Sequence, residues 1–169
     1  MCGISAVISK QSLNSLELLL DSLKQLQNRG YDSFGVACII DDNIKIHKKA
    51  CLDTIGDNFQ IFADELNGWQ SSISIGHTRW ATHGIISDKN AHPHISQSGE
   101  ICLVHNGIIE NYSKLKDFLI KNGFSFYSET DTEVIVNLIE FNKRNSTIVD
   151  AIMTTVRMLE GTYGLAIQC

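Results

Sequence analysis

The sequence predicts an α+β fold in which helices cover largely antiparallel sheets. The chain has 169 residues, which is the length of one domain. Runs rich in β-branched residues and runs with helical spacing of apolar residues occur in roughly equal shares. The predicted strands are joined by hairpins as well as by helices, and this combination is typical of layered folds built on antiparallel sheets.

In the first half of the chain, apolar β-branched runs predict strands and leucine spacing predicts helices. The predicted strands cover residues 4–8, 34–40, 44–47 and 72–77. Asp41-Asp42-Asn43 joins the second and third of these as a hairpin turn. One helix is predicted over residues 12–29, with Gly30 as its C-terminal cap. A second helix is predicted through Ile55, Phe59, Phe62 and Leu66.

The second half begins with a polar stretch, residues 81–99, which contains the single proline and predicts a long loop. Loops of this length inside compact domains are usually functional. Strands are predicted over residues 101–105, 124–127 and 163–167. Helices are predicted over residues 112–119, 130–139 and 147–159, and Thr130-x-x-Glu133 has the form of a capping box that opens the second of them.

Composition and charge exclude several classes of protein. Hydrophobic residues make up 43% and charged residues 20%, which excludes a disordered chain. The net charge of −5 argues against nucleic acid or an anionic membrane as the main partner. No apolar run approaches the roughly 20 residues of a membrane span, and the start does not resemble a signal peptide. The five cysteines are unpatterned and odd in number, which predicts free thiols and a cytoplasmic location.

Cys2 is the candidate nucleophile. Removal of Met1 would leave Cys2 with a free α-amine. An α-amine has a pKa of about 7.7–8.0, close to the roughly 8.5 of a cysteine thiol. Such an amine can take the proton of its own thiol, so the nucleophile needs no histidine or aspartate partner. The alternative is that Cys2 is an ordinary small residue beside the initiator.

Three further groups could hold a substrate or stabilise a transition state. Arg79 offers a planar fork of donors for a carboxylate, with Trp80, Thr82 and His83 beside it. Asn106 and Gly107 could form an oxyanion hole. Asp131, in the first turn of a predicted helix, could bind an ammonium group.

Each of these groups also has a purely structural interpretation. The arginine could be a solvated side chain at a strand end, and the aspartate could complement a helix dipole. Asn-Gly between apolar runs is most simply a tight hairpin turn. The histidines could instead bind zinc, and they are His83, His92, His94 and His105. No cysteine pair or carboxylate-histidine helix motif accompanies them, so we expect no metal and no cofactor.

Six motifs in order give the set a family resemblance. They are Cys2-Gly3-Ile4, Asn28-Arg29-Gly30-Tyr31-Asp32-Ser33, His77-Thr78-Arg79-Trp80-Ala81-Thr82-His83-Gly84, Asn90-Ala91-His92-Pro93-His94, His105-Asn106-Gly107-Ile108-Ile109-Glu110-Asn111 and Ser128-Glu129-Thr130-Asp131-Thr132-Glu133. Together they resemble the glutaminase domain of the glucosamine-6-phosphate synthase family, which belongs to the class II, N-terminal-nucleophile amidotransferases. Two segments distinguish this pattern from that of the purine-pathway amidophosphoribosyltransferases, namely Arg29-Gly30-Tyr31-Asp32 and Arg79-Trp80.

The resemblance implies a role for each of these groups. Cys2 would attack the side-chain amide of glutamine, and Asn106 and Gly107 would stabilise the oxyanion. The α-carboxylate of glutamine would be held by Arg79, with Thr82 and His83 beside it, and its α-ammonium by Asp131. The resemblance also places Trp80 at a gate for ammonia and His92 near a domain interface. The implied fold is a four-layer α/β/β/α sandwich of antiparallel sheets.

The resemblance also implies what lies outside residues 1–169. The family carries two sugar-isomerase domains, absent here, which bind fructose 6-phosphate and dimerise. We therefore expect a partial amidotransferase domain, incomplete at its C-terminal end, that supplies ammonia for glucosamine 6-phosphate synthesis. Full-length members are expected to be homo-oligomers. The alternative is an inactive remnant that keeps a glutamine pocket without aminating a sugar.

Overall fold

A computed structural model describes residues 2–10, 14–51, 57–80 and 85–169. Within these ranges the chain forms two antiparallel sheets with helices against their outer faces. The predicted α+β class and the α/β/β/α layering are both confirmed.

The first sheet has four strands in the order β1-β4-β2-β3. Its strands are β1 (Gly3–Ile8), β2 (Ser33–Ile40), β3 (Asn43–Ala50) and β4 (Ile73–Arg79). Strands β2 and β3 form the predicted hairpin, and the turn between them places Asp41 and Asp42 at φ of 51° and 59°. In the register between β1 and β4, Gly3 lies opposite Thr78. This register brings the start of the chain to the end of β4.

The second sheet has three strands in the order β5-β6-β7. They are β5 (His94–Ile95), β6 (Cys102–Ile109) and β7 (Gly161–Gln168). The two sheets pack face to face through Ala37, Ile75, Cys102 and Val104. The end of β4 therefore lies near the middle of β6, where Asn106 and Gly107 are found.

Helices cover the outer face of each sheet. The helices are α1 (Ser15–Gln25), α2 (Asp57–Asp64), α3 (Tyr112–Lys121), α4 (Asp131–Lys143) and α5 (Ile148–Met158). Against the first sheet, Leu19 and Leu23 of α1 and Phe62 of α2 are fully buried. The central helix against the second sheet is α4, and Val134 to Ile139 on it are buried.

Several local expectations were wrong. No strand forms over residues 124–127, because Phe124 packs into the apolar core under α4 instead of pairing. The long loop contains the short strand β5 and a 3-10 turn. Helix α1 ends at Gln25, and Gly30 is extended with φ of −165°, so it is not a left-handed cap.

The predicted capping box and the Asn-Gly turn were also wrong. Thr130 precedes α4 but makes no side-chain capping bond, and Glu133 instead accepts hydrogen bonds from the backbone amides of Tyr127 and Ser128. Asn106 and Gly107 lie inside β6, paired with β7, instead of at a turn. Pairing with a distant strand overrides the local turn preference of this dipeptide.

Candidate active site

Cys2 lies at the point where β1 meets the end of β4. Its Sγ is 3.1 Å from the backbone nitrogen of Trp80, which donates to it, and 3.4 Å from the Trp80 carbonyl oxygen. Gly3 allows this close approach, since a Cβ there would lie 2.7 Å from Thr78 Oγ1 and 2.8 Å from Leu26 Cβ. The register of β1 thus presents the Cys2 thiol, half-buried, to the space beyond the strand ends.

Asn106 approaches Cys2 from the second sheet. Its Nδ2 donates to the Cys2 carbonyl oxygen at 3.1 Å, and its Oδ1 lies 2.8 Å from Nε2 of His77. Gly107 follows with φ of 132°, a conformation that side chains rarely adopt, and a Cβ there would lie 2.1 Å from the Thr162 carbonyl. Gly107 is therefore required by the backbone of β6, and the pair Asn106-Gly107 lines the same cavity as Cys2.

Charged side chains of opposite sign line the same cavity. Arg79 ends β4 and is 4% exposed, so it is not the solvated arginine of the structural interpretation. Burial lowers the pKa of Arg79, while the nearby charges of Cys2, Asp32 and Asp131 oppose that shift. Asp131 opens α4, and its Oδ2 accepts a hydrogen bond from the backbone amide of Ile109 at 2.9 Å. A guanidinium and a carboxylate in one cavity match a ligand that carries both a carboxylate and an ammonium.

The cavity has a volume of about 460 Å³, enough for a small amino acid. Its walls come from both sheets and from the first turn of α4. The lining residues are Cys2, Arg29, Arg79, Trp80, His92, His105, Asn106, Gly107, Ile108, Thr130, Asp131 and Thr132. The fold thus brings Cys2, Asn106, Gly107, Arg79, Trp80 and Asp131 to one place.

A cluster of four buried histidines, His77, His92, His94 and His105, supports the cavity wall. Thr132 Oγ1 lies 2.7 Å from Nε2 of His92 and 3.0 Å from Nδ1 of His105. Burial lowers the pKa of His77 to about 4 and the pKa values of His92 and His94 well below 6.5. Burial lowers the pKa of His105 as well, against the opposing effect of the Asp131 carboxylate. We refer to these four residues as the histidine cluster.

The remaining predicted site residues divide into three groups. Trp80 is 45% exposed and its ring lies 5.4 Å from that of Tyr31, at the mouth of the cavity. His92 is buried in the cavity wall, with its ring 4.2 Å from that of His77. Thr82, His83 and Met1 lie outside the described residues, and so does the segment from Ala81 to Gly84 that contains the first two.

Sequence reasoning gave no role to several residues that build the site. His77 and Thr132 belong to two of the six motifs, but the sequence suggested a role only for their neighbours Arg79 and Asp131. Asn90 and Glu129 join two motifs, since Asn90 Oδ1 accepts from the Glu129 amide and Asn90 Nδ2 donates to the Glu129 carboxylate. The only sign of this contact in the sequence was that the motif containing Asn90 and the motif containing Glu129 are both rich in polar residues.

The described part of the chain contains neither a candidate metal site nor a candidate membrane-spanning helix. Within those ranges, no group of three or more His, Cys, Asp or Glu side chains is placed to hold a metal ion. None of the described helices combines the length and the apolar character that crossing a membrane requires.

Comparisons with known proteins identify the family of this site. The chain is 47% identical over its whole length to a glutamine–fructose-6-phosphate aminotransferase (isomerizing) of Caldanaerobacter subterraneus, and 43% identical over 99% of its length to that of Aquifex aeolicus. It spans 27% of the length of each of these relatives. The chain also superposes, over 99% of its length and 35% of the other chain, on the glutamine phosphoribosylpyrophosphate amidotransferase of Bacillus subtilis, with a TM-score of 0.80 at 25% identity. Residues 56–167 match the glutamine amidotransferase domain family, and the chain belongs to that family.

Proposed function

We propose that this chain hydrolyses glutamine to glutamate and ammonia, with Cys2 as the nucleophile. The observation that carries the proposal is the convergence of a thiol, an amide donor and two opposite charges on one cavity. These groups come from Cys2, which precedes β1, and from β4, β6 and α4, which are far apart in sequence. The opposite charges suit the α-carboxylate and α-ammonium of an amino acid, and the Cys2 thiol lies beside them, which supports the proposal.

Binding is the first step of the proposed reaction. The guanidinium of Arg79 pairs with the α-carboxylate of glutamine in a bidentate manner, and Asp131 accepts hydrogen bonds from the α-ammonium. Thr82 and His83 are proposed to add contacts from the segment that follows Arg79. Ion pairs in a buried cavity are screened less than those in water, so they fix the ligand firmly. The side-chain amide of glutamine then points toward Cys2.

The chemical steps follow from the thiol and its neighbours. Once Met1 is removed, the α-amine of Cys2 takes the thiol proton, and Sγ attacks the amide carbon. The oxygen gains negative charge and is stabilised by Nδ2 of Asn106 and the backbone N–H of Gly107. The amine returns its proton to the leaving nitrogen, which departs as ammonia. Water then attacks the γ-glutamyl thioester, which releases glutamate and restores the thiol.

The destination of the ammonia is a further part of the proposal. In the longer relatives, this region is followed by most of the chain, which we propose holds the sugar-isomerase domains and the fructose 6-phosphate site. We propose that residues 1–169 belong to the amidotransferase domain of such an enzyme, that Trp80 gates ammonia, and that His92 acts near the domain interface. The whole enzyme is proposed to be a homo-oligomer in the cytoplasm, where five free cysteines would remain reduced.

An assay of glutamate release tests the proposal. Protein shown by intact mass to have lost Met1 should convert glutamine to glutamate and ammonia in equal amounts, and the C2A variant should release neither. C169A is the matched control, because Cys169 is exposed and is not among the residues that line the cavity, and it should keep full activity. Equal release by C2A and the wild type, or no release by protein that has lost Met1, would contradict the proposal.

A further inference from the structure

We propose that His77 is a positioning residue that holds the side-chain amide of Asn106 with its nitrogen toward Cys2. The proposal rests on the function proposed above, in which Asn106 stabilises the oxyanion. His77 is not among the residues that line the cavity, so it acts on the reaction only through Asn106.

The hydrogen-bond geometry fixes the tautomer of His77. Its Nε2 lies 2.8 Å from Asn106 Oδ1 and 3.2 Å from the carbonyl oxygen of His105. Both of these oxygens are acceptors, so Nε2 must carry the hydrogen and donate it. His77 is 1% exposed, and its burial keeps the ring neutral at physiological pH. The ring is therefore held as the neutral Nε2–H form.

The orientation of the Asn106 amide follows from two independent neighbours. Its nitrogen lies 3.1 Å from the Cys2 carbonyl, which can only accept, and its oxygen faces the donor of His77. An asparagine amide can rotate by half a turn and exchange its two ends, which are nearly equal in size. In the exchanged orientation an oxygen would face the developing oxyanion and repel it. His77 therefore selects the orientation that the proposed reaction requires.

A purely structural role is the alternative, since the ring of His77 also packs 4.2 Å from the ring of His92. Two variants separate the roles. H77M keeps an unbranched side chain of similar volume but removes the donor. H77Q places an amide nitrogen near the position of Nε2 and keeps the donor. A packing role makes the two variants similar, whereas a positioning role makes H77Q the more active.

Kinetics of glutamine hydrolysis and alkylation of Cys2 by iodoacetamide form the first test. Alkylation uses the same thiol but creates no oxyanion, so it reports whether the nucleophile and cavity are intact. We expect H77M to lower kcat by about 10- to 100-fold with KM changed less than about threefold, and to alkylate at the wild-type rate. H77Q should recover most of the lost kcat. A kcat of H77M within about threefold of the wild type, or a parallel loss of the alkylation rate, would overturn the positioning role.

Nitrogen NMR of the histidine rings and asparagine amides tests the same claim without turnover. Wild-type His77 should show a protonated Nε2 and an unprotonated Nδ1, and H77M should shift the side-chain amide signals of Asn106. A protonated Nδ1, or unchanged Asn106 signals in H77M, would overturn the proposal. If the wild type has this tautomer but hydrolyses no glutamine, the proposed function fails while the role of His77 in holding the amide stands.

Discussion

The apolar core under α4 and the histidine cluster lie close together, yet they are built on opposite principles. The apolar core buries Leu103 of β6, and Ile101 just before that strand, with Ile135 and Leu138 of α4. The histidine cluster buries four imidazole rings between the sheets and the start of α4. The first region gains stability from apolar area removed from water, a driving force that has no direction. The second depends on hydrogen bonds, which are directional.

The difference shows which region stabilises the fold and which serves the site. A buried leucine contributes about 1.5–3 kcal/mol by its transfer from water. Buried polar atoms without a partner have the opposite effect, and within the described residues Nδ1 of His77, Nδ1 of His92 and Nε2 of His105 make no hydrogen bond. The histidine cluster therefore costs stability. We interpret the cluster as serving the orientation of Asn106, whose Oδ1 lies 2.8 Å from Nε2 of His77.

The largest expected effect is a loss of stability on truncating a side chain of the apolar core. Leu138 is fully buried under the second sheet, so L138A should leave a cavity and lower the free energy of unfolding by about 2–5 kcal/mol. The kcat of the molecules that remain folded should change less than about threefold, because Leu138 is not among the residues that line the cavity. Urea unfolding followed by circular dichroism measures the first quantity. I120A is the control, because Ile120 is 51% exposed, and it should change the free energy of unfolding by less than about 0.5 kcal/mol.

The next effect is the reverse case, a large loss of activity with little loss of stability. N106A removes a proposed oxyanion donor, so kcat should fall by about 100- to 1,000-fold. The half-buried side chain of Asn106 contributes little apolar area, so the free energy of unfolding should fall by less than about 1.5 kcal/mol. Steady-state glutamine hydrolysis and urea unfolding give both values. N122A, at an exposed helix end, is the control, and an N106A kcat within tenfold of the wild type would remove Asn106 from the mechanism.

The smallest effect is a dependence of stability on pH that arises from the histidine cluster. The pKa of His77 is about 4 in the folded protein and 6.5 as its unperturbed value, so below pH 6.5 the unfolded state binds more protons. The free energy of unfolding therefore keeps its full value above pH 6.5 and falls as the pH falls toward 4, because the unfolded state then gains protons that the folded state does not. At pH 5.5 the loss from this residue alone should be about 1.4 kcal/mol.

Urea unfolding at pH 7.5 and 5.5 measures this loss, and H77Q is the matched variant because it cannot titrate. The difference in unfolding free energy between the two pH values should be smaller in H77Q than in the wild type by about 1.4 kcal/mol. Identical pH dependence in the two proteins would show that His77 is not buried in its neutral form.

The order of strands and helices followed from local patterns, since most of the predicted segments fall on observed elements. Leucine spacing predicts an apolar face for the first helix. Leu16, Leu19 and Leu23 on that face are buried, and Leu20 and Leu26 are partly buried. The strand predicted over residues 124–127 was wrong, because an aromatic residue such as Phe124 can as easily pack into a core as form part of a strand. The pair Asn106-Gly107 shows the same limit, because its turn preference is local and its partner strand β7 lies more than fifty residues away.

The site was predictable only where a side chain has distinctive chemistry. Cys2, Arg79, Asn106 and Asp131 carry groups that suggest their own roles, and the structure places all four at one cavity. His77 was not identifiable in this way, because its role depends on a 2.8 Å contact with a residue 29 positions away. Spacing along the chain carries no information about such a contact, whereas the packing of β4 in the first sheet against β6 in the second creates it.

The central claim is that Cys2 attacks glutamine, and its most direct test is the covalent intermediate. Rapid acid quenching of the protein during turnover, followed by digestion and mass spectrometry, should detect a γ-glutamyl group on the peptide that begins with Cys2. The adduct should be absent without glutamine, and prior alkylation of Cys2 should prevent it. An adduct on another cysteine, or steady turnover by fully alkylated protein, would contradict the account.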